Sequence, residues 1–492
     1  MSRDMRQDST SSLTGSDKLT RETLDLCLEL VRQQYLADGR PWVIGYSGGK
    51  DSTCVLQIVW NALLSMPAQE LKKPIYIIAS DTFVESPAVE QHLNQTLEQM
   101  NAVAQKTGVP FTAHKVFPPI DESFWVNLIG RGYPAPYKSF RWCTDRMKIK
   151  PATAFIQERI TEYGEVIVLL GARKAESSSR AQVMKRRKEM GTCLFRHNSL
   201  PNAWVFTPIE DWSTEDVWTY LTTYESPWGG DNRELVAMYR NAQAGECPLV
   251  IDRSTPSCGG GRFGCWVCTV VERDRTMESM IDNGEEWLQS LLDFRNWLAS
   301  TRDPANKARI REPRRRTGKI EFFGPEAERK LRYGPFKLSF RKEILARVLK
   351  AQMEARKAGP NPKICLIRDD ELHKIRQIWL HDEGDWEDSL PAIHNRATEE
   401  HMTWLADDWS GMGGAEKRIL DEVSRQYRIP PGLLTELMNV EREYHGMSRR
   451  AGVYDQLDRI VQKDWRSLEE AWADQGQGID EAAEMREKSR AH

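Results

Sequence analysis

A glycine-rich loop near the start of the chain carries residues that could bind phosphate. Residues 47–52 read Ser-Gly-Gly-Lys-Asp-Ser and follow a short apolar run. Glycines let backbone amides turn toward an anion, and a helix that begins directly after them adds its positive end. The loop therefore predicts a phosphate site, whose binding residues we expect to be Ser47, Gly48, Gly49, Lys50, Asp51 and Ser52.

This loop is not a Walker A loop. That motif has four residues between its first glycine and Gly-Lys, and Ser or Thr directly after the lysine. Here three residues separate Gly45 from Gly49, and Asp51 follows Lys50. The simpler alternative is an ordinary turn between a strand and a helix.

A second group of reactive residues is a cluster of four of the nine cysteines, with the spacing C-x10-C-x6-C-x2-C. In a chain with reduced thiols, such clustering indicates a metal site more often than isolated structural cysteines. Four soft ligands suit zinc or an iron–sulfur cluster, and the spacing does not choose between them. The predicted ligands are Cys247, Cys258, Cys265 and Cys268.

The elements that must position these residues alternate between strand and helix. Apolar runs predict strands at 42–46, 74–80, 111–117 and 165–170, and helical periodicity predicts helices at 19–36, 50–64, 89–107 and 151–163. This rhythm predicts an α/β fold with a parallel sheet. Ligands bind beyond the carboxyl ends of such strands, so Asp81, Arg173, Lys174 and Arg180 are candidate nucleotide-site residues. The alternatives are a helix N-cap for Asp81 and a solvated helix face for Arg173 and Arg180.

Four ordered motifs between residues 40 and 270 carry a resemblance to a known family. Residues 47–52 resemble the pyrophosphate loop (PP-loop) of N-type ATP pyrophosphatases and PAPS reductases. Residues 171–180 resemble that family's G-x-R-x-x-E-S-x-x-R, and residues 208–220 its P-I-x-D-W-x-x-x-D-V-W-x-Y. Residues 142–151, Trp-Cys-Thr-Asp-Arg-Met-Lys-Ile-Lys-Pro, complete the set. The resemblance implies an adenine nucleotide alpha hydrolase-like sheet that binds ATP and cleaves it between the α and β phosphates.

The length of the chain and its cysteine cluster resemble, within that superfamily, the DndC family of DNA phosphorothioation sulfurtransferases. This resemblance implies ATP, Mg²⁺ and a 4Fe–4S cluster as cofactors, DNA as acceptor, a cysteine desulfurase as sulfur donor and other phosphorothioation proteins as partners. It implies catalytic roles for Lys50, Asp51, Arg173 and Cys143. Cys143 competes with Cys247 as a cluster ligand, or carries sulfur as a persulfide with its pKa lowered by Arg141 and Arg146.

Two other functions fit parts of the pattern. A divergent PAPS reductase would share the fold, but Glu246-Cys247 is followed by Pro248 and not by the glycine of that enzyme's Glu-Cys-Gly-(Leu/Ile)-His tail. A nucleic-acid-binding scaffold with a structural four-cysteine zinc site is the non-enzymatic alternative.

Composition and charge limit where the chain could bind DNA and how it is divided into domains. The net charge of −3 excludes a globally basic nucleic-acid binder, but residues 301–350 hold 16 Lys and Arg against 6 Asp and Glu. We expect DNA phosphates to contact Arg314, Arg315 and Arg316, unless this run is a solvated face or a docking site for an acidic partner. The predicted divisions are a disordered 1–18, a PP-loop domain at 19–240, a cysteine-rich iron–sulfur segment at 241–300 and a basic, then helical region at 301–492. The absence of a long apolar run predicts a cytoplasmic protein without a membrane span.

Overall fold

A six-stranded sheet organises the first half of the protein. The computed structural model describes residues 19–176, 193–242, 264–325, 328–402, 413–444 and 452–474. The strand order is β3-β2-β1-β4-β6-β5. The strands are β1 Trp42–Gly45, β2 Ile75–Ser80, β3 Phe111–Val116, β4 Val166–Leu169, β5 Phe195–Arg196 and β6 Ala203–Phe206.

Five of these strands run parallel, and only the short β5 pairs antiparallel to its neighbour β6. Both faces of the sheet are covered, so β1 and β4 are buried at every residue. Apolar runs without alternation are typical of such doubly covered strands. The predicted α/β fold with a parallel sheet is confirmed, because helices α1 Arg21–Leu36, α2 Lys50–Leu64, α3 Pro87–Thr107 and α5 Lys150–Tyr163 alternate with the strands.

The sheet has a topological switch point between β1 and β4. The chain builds outward from β1 through β2 to β3, and then crosses to β4 on the other side of β1. The loops that leave β1 and β4 therefore diverge and open a crevice at the carboxyl edge of the sheet. Open α/β sheets bind their ligands at this position. The predicted phosphate loop follows β1, and the predicted Arg173 follows β4.

The second half is mainly helical. Its only described strands are β7 Phe322–Phe323 and β8 Lys330–Leu331, which pair as a hairpin. A helical turn, α4 Trp142–Thr144, precedes α5, and α6 Thr214–Thr223 and α7 Asn232–Ala242 follow the sheet. The remaining described helices are α8 Arg275–Asp282, α9 Gln289–Ser300, α10 Lys307–Ile310, α11 Leu338–Ala358, α12 Asp369–Asp382, α13 Ser389–Thr398, α14 Gly414–Tyr427, α15 Pro431–Tyr444, α16 Val453–Val461 and α17 Leu468–Ala473.

A segment between β3 and β4 leaves the sheet and packs into this helical half. Residues 124–147 share a hydrophobic core with residues 266–390. Within the segment, Val126–Gly130 is a π-helical turn, whose wider winding changes which carbonyls are paired. The indole of Trp379 donates to the carbonyl of Ile129 at 3.0 Å, and Arg341 Nη1 donates to the carbonyl of Gly130 at 2.6 Å. These bonds hold the segment against α11 and α12. The domain boundaries at 240 and 300 stay a prediction.

None of the helices in the described part of the chain combines the length and the apolar character that crossing a bilayer requires.

Candidate functional site

The loop after β1 forms an anion cradle at the start of α2. Gly48 has a φ of +71°, a conformation that favours glycine, and nothing approaches the position of a Cβ there within 4 Å. The hydroxyls of Ser47 and Ser52 lie 3.0 Å apart, and the Ser52 hydroxyl also donates to the Gly49 carbonyl at 2.9 Å. Gly49 has no side chain with which to cap α2, and the loop leads into the positive end of this helix, where a phosphate can bind.

Asp51 joins the loop to the strand on the other side of the crevice. Its Oδ2 lies 2.7 Å from Lys50 Nζ, and its Oδ1 lies 2.5 Å from Arg173 Nε. Lys50 is 3% exposed and Arg173 only 1%. The alternative of a solvated helix face for Arg173 is therefore wrong, because a neighbouring carboxylate holds its guanidinium inside the protein.

The backbone after β4 comes very close to α2. A Cβ at Gly171 would lie 2.7 Å from the Asp51 carbonyl carbon, so this position requires glycine. Arg173 Nη1 also donates to the Thr214 hydroxyl at 3.2 Å. Thr214 belongs to the 208–220 motif, in which Ser213 and Asp216 form a capping box that starts α6. The two motifs after β4 and β6 thus hold the Arg173 side chain against Asp51.

Of the two other cations predicted for the nucleotide site, Lys174 is described by the structure and Arg180 is not. Lys174 Nζ lies 3.3 Å from Glu210 Oε1 and also contacts Asp211, and these carboxylates raise the Lys174 pKa although partial burial opposes them. Arg180 lies outside the described residues.

Asp81 follows β2 at the same edge of the sheet. Its Oδ2 lies 2.8 Å from Lys115 Nζ, and its Oδ1 accepts from the amide of Phe83 at 2.9 Å. Helix α3 begins later, after Ser86, so the N-cap alternative for Asp81 is wrong. Its predicted role near ribose or metal stays a prediction.

Tyr239 is a site residue that nothing in the sequence marks. Its hydroxyl accepts from the Lys50 amide at 3.1 Å, on the first turn of α2. The ring is held by Trp218, with the two ring centroids 5.0 Å apart. Tyr239 therefore covers one of the amides that a bound phosphate would use. Trp218 belongs to the 208–220 motif, but Tyr239 lies beyond it, where no motif would indicate it.

Cys265 and Cys268 lie beside the carboxyl end of β2. Cys265 Sγ lies 3.3 Å from the hydroxyl of Thr82, the second residue after that strand. The Cys268 amide donates to the Cys265 carbonyl at 3.0 Å, which closes the turn between the two thiols. The buried Arg295 donates from Nε to the Cys268 carbonyl at 2.9 Å and fixes the turn from behind. Cys247 and Cys258, the other two predicted ligands, lie outside the described residues.

Cys143 is brought close to this turn from a distant part of the chain. Burial and the neighbouring Cys268 thiol raise the pKa of Cys143 to about 11, and Lys148 only partly offsets them. The expected lowering of its pKa by Arg141 and Arg146 is wrong, because Arg146 pairs with Glu122 instead. Burial and the carboxylate of Glu85 likewise raise the pKa of Cys265.

Two metal sites are predicted, magnesium beside Asp51 and a cluster on the cysteines. Across the described ranges there is no group of three or more His, Cys, Asp or Glu arranged to hold a metal ion. Both oxygens of Asp51 accept from cations, which favours the loop-orienting role over that of a magnesium ligand. The thiols of Cys265, Cys268 and Cys143 are soft and half-buried, a donor chemistry that suits iron–sulfur or zinc.

The three consecutive arginines are not a free basic face. Arg314 stacks on Trp465 at 4.3 Å and donates to the Asp464 carbonyl at 2.7 Å. Arg315 Nη1 lies 3.1 Å from Glu321 Oε2. Arg316 lies 4.9 Å from the Tyr133 ring centroid. The expectation that all three are available to DNA phosphates is therefore wrong for Arg314, which anchors the segment after α16.

Part of the chain matches a known protein family, and part of it aligns with a curated protein. Residues 41–230 match the phosphoadenosine phosphosulfate reductase domain family. Over 243 residues the chain is 29% identical to an uncharacterised protein of Methanocaldococcus jannaschii, an alignment that covers 49% of this chain and 39% of that protein. The chain thus spans about two fifths of the length of this curated relative.

Two solved structures align with part of the chain. The FMN adenylyltransferase of Candida glabrata, in complex with FAD and pyrophosphate, aligns with 43% of this chain and 60% of its own at 13% identity and a TM-score of 0.26. The U34-tRNA thiolase NcsA of Methanococcus maripaludis, with its 4Fe–4S cluster, aligns with 57% of this chain and 81% of its own at 13% identity and a TM-score of 0.27. At these TM-scores neither likeness bears on the function of this chain.

Residues 41–230, which match the phosphoadenosine phosphosulfate reductase domain family, thus contain the whole six-stranded sheet and carry the glycine-rich loop at its switch point.

Proposed function

We propose that this protein is an ATP-dependent sulfurtransferase that inserts sulfur into a DNA backbone phosphate. One observation carries the proposal: thiols and nucleotide loop share one edge of the sheet. Cys265 Sγ lies 3.3 Å from the Thr82 hydroxyl at the end of β2, and β2 is the neighbour of β1, which leads into the loop at 46–49. An activated phosphate and a sulfur donor could therefore meet there.

The first step is activation by ATP. A non-bridging oxygen of the DNA phosphate attacks the α-phosphorus, the new P–O bond forms, the bond to the β-phosphate oxygen breaks, and pyrophosphate leaves. The amides of Gly48 and Gly49 and the hydroxyls of Ser47 and Ser52 would hold the β and γ phosphates. Lys50 would place positive charge on the departing pyrophosphate, where a preorganised cation stabilises the transition state.

Asp51 and Arg173 serve this step by position. The carboxylate holds the Lys50 ammonium on one oxygen and the guanidinium on the other, so the charges stay fixed before ATP arrives. Arg173 is a candidate for contact with the α-phosphate, provided that it exchanges its bond to Thr214 for one to the substrate. Mg²⁺ would enter with the phosphates of ATP.

The second step replaces oxygen by sulfur. Sulfur at the oxidation level of sulfide attacks the adenylylated DNA phosphorus, a P–S bond forms, and AMP leaves with the displaced oxygen. A cysteine desulfurase is the proposed source of the sulfur: it delivers a persulfide, which an external dithiol reduces to sulfide while the dithiol is oxidised to a disulfide. Other phosphorothioation proteins are the proposed partners. Cys265 and Cys268, with the neighbouring Cys143, would hold a 4Fe–4S cluster, which would supply thiophilic iron beside the reaction.

The bond that is broken in ATP tests the proposal. With ATP labelled in turn at the α and γ phosphates, the protein should release AMP and pyrophosphate in the presence of DNA. The Asp51→Asn variant should lose this release, because Lys50 and Arg173 lose the charge that orients them. Arg347→Ala, on the exposed face of α11, serves as the control. Release of ADP and orthophosphate as the first products would contradict the assignment.

A further inference from the structure

A large cleft lies between the segment before Cys143 and the basic region. Its volume is about 970 Å³, at the upper end for ligand sites. Residues 132–137 form one wall, and residues 304–335 with the hairpin β7–β8 form the other. A second cavity, of about 520 Å³, shares Tyr137, Lys307 and Arg311 with the first. Together the two cavities enclose more volume than a single small ligand needs.

The cleft is strongly cationic. Seven of its lining residues are basic, and no described lining residue is acidic: Lys307, Arg311, Arg315, Arg316, Arg329, Lys330 and Arg332. Desolvation and the neighbouring Arg315 lower the pKa of Arg311 to about 10, and its guanidinium donates to the carbonyls of Tyr333 and Gly334. The Arg332 side chain is 53% exposed; it lies 4.0 Å from Glu321 Oε2 and 5.5 Å from the centroid of the Phe323 ring. This charge suits a polyanion.

Aromatic side chains line the cleft together with the cations. Tyr137 is 40% exposed and Phe323 is 44% exposed, although both are large and partly or wholly apolar. Both line the cleft together with Tyr133, Phe140 and Tyr333. Grooves that combine cations for the backbone with exposed rings for the bases are typical of sites for single-stranded nucleic acids. A duplex keeps its bases stacked inside, where these rings could not reach them.

The cleft wall is tied to the thiol site. The indole of Trp142, next to Cys143, donates to the Pro134 carbonyl at 3.0 Å. The hydroxyl of Thr269, next to Cys268, donates to the Pro136 carbonyl at 2.7 Å. One short segment therefore has the cleft on one side and the cysteines on the other.

We infer that this cleft binds an unpaired DNA strand, with phosphates on its lysines and arginines and bases on Tyr137 and Phe323. The inference rests on the proposed function and deepens it, because it states that the acceptor phosphate is presented on a single strand beside the thiols. The consequence is that a DNA duplex must open locally before it can be modified.

Binding of fluorescent oligonucleotides by the full chain tests the inference. The variant Lys330→Ala/Arg332→Ala removes two cleft cations, and Arg347→Ala/Lys350→Ala removes the same two side-chain types from the exposed face of α11. The cleft variant should flatten the dependence of log affinity on log salt by about 1.4 for single-stranded DNA, at roughly 0.7 per lost contact. Phe323→Ala should weaken binding roughly tenfold with little change in the salt slope, because stacking is not ionic. The α11 variant should match the wild type.

Three results would overturn the inference. The first is a cleft variant that binds single-stranded DNA like the α11 variant. The second is a duplex bound as tightly as its separated strand. The third is an RNA strand of the same sequence bound more tightly than DNA, which would assign the cleft to RNA. Pyrophosphate release by the wild type is measured separately. Its absence counts against the proposed function, whereas unchanged binding by the cleft variants counts only against the cleft.

Discussion

Arg173 and Asp51 form a buried ion pair that spans the crevice between two neighbouring strands, with 2.5 Å between Nε and Oδ1. The two residues are 122 positions apart in the chain. The pair couples the nucleotide loop after β1 to the motif after β4. It also means that the loop is part of the packed interior.

The Arg173→Ala variant should be less stable as well as inactive. Loss of one partner leaves the carboxylate of Asp51 buried with Lys50 alone, and breaking a buried pair in this way costs about 3 kcal/mol of unfolding free energy. Chemical denaturation measures the loss. Lys350→Ala, whose partner Glu354 is also exposed, should change stability by less than about 0.5 kcal/mol. An Arg173→Ala variant as stable as the wild type would show that the pair does not stabilise the fold.

Lys50 and Asp51 are both buried, so replacing either of them affects the fold as well as the nucleotide site. The sequence predicts the loop, its strand and its helix, since those signals are local. The sequence does not predict the burial of Lys50 and Asp51, because this burial depends on Arg173, which follows β4 far along the chain. For the same reason the stacking of Arg314 on Trp465, a contact with a distant helical segment, was not predictable from the arginine run.

Removal of one hydroxyl should strengthen ATP binding. In Tyr239→Phe the Lys50 amide loses its acceptor and becomes available to a phosphate, so the Kd for ATP should fall roughly two- to tenfold, the worth of one hydrogen bond. Tyr224→Phe, on the more exposed Tyr224, is the control. Weaker ATP binding by Tyr239→Phe would instead mean that the hydroxyl contacts the nucleotide.

Stability should depend on pH through Glu371. Burial raises the pKa of this glutamate from 4.5 to about 7, although hydrogen bonds from Ser123 and the Arg368 amide oppose the shift. Between these pH values the unfolded chain releases a proton that the folded protein keeps, so stability falls as pH rises from 4.5 to about 7. Glu371→Gln removes this loss and should be more stable than the wild type at pH 8 by roughly 2–3 kcal/mol. Denaturation at pH 5 and pH 8 measures it, and equal pH dependence of both proteins would contradict it.

The cysteine turn should determine the metal content. Protein purified without oxygen should be brown and contain iron, and Cys265→Ser or Cys268→Ser should lose both colour and iron because each removes a thiolate ligand. Cys365→Ser, at an exposed cysteine, should keep both. Zinc in stoichiometric amount without iron would favour the scaffold with a structural zinc site.

The central claim is that sulfur enters DNA through this protein, and the chemistry of the host DNA tests it most directly. Nuclease digests of DNA from cells with the wild-type gene, without the gene, and with the Asp51→Asn variant are compared by mass spectrometry. The proposed function predicts phosphorothioate-linked dinucleotides in the first sample and none in the other two. The same phosphorothioate dinucleotides in cells that lack the gene, or none in cells that carry it, would contradict the proposed function.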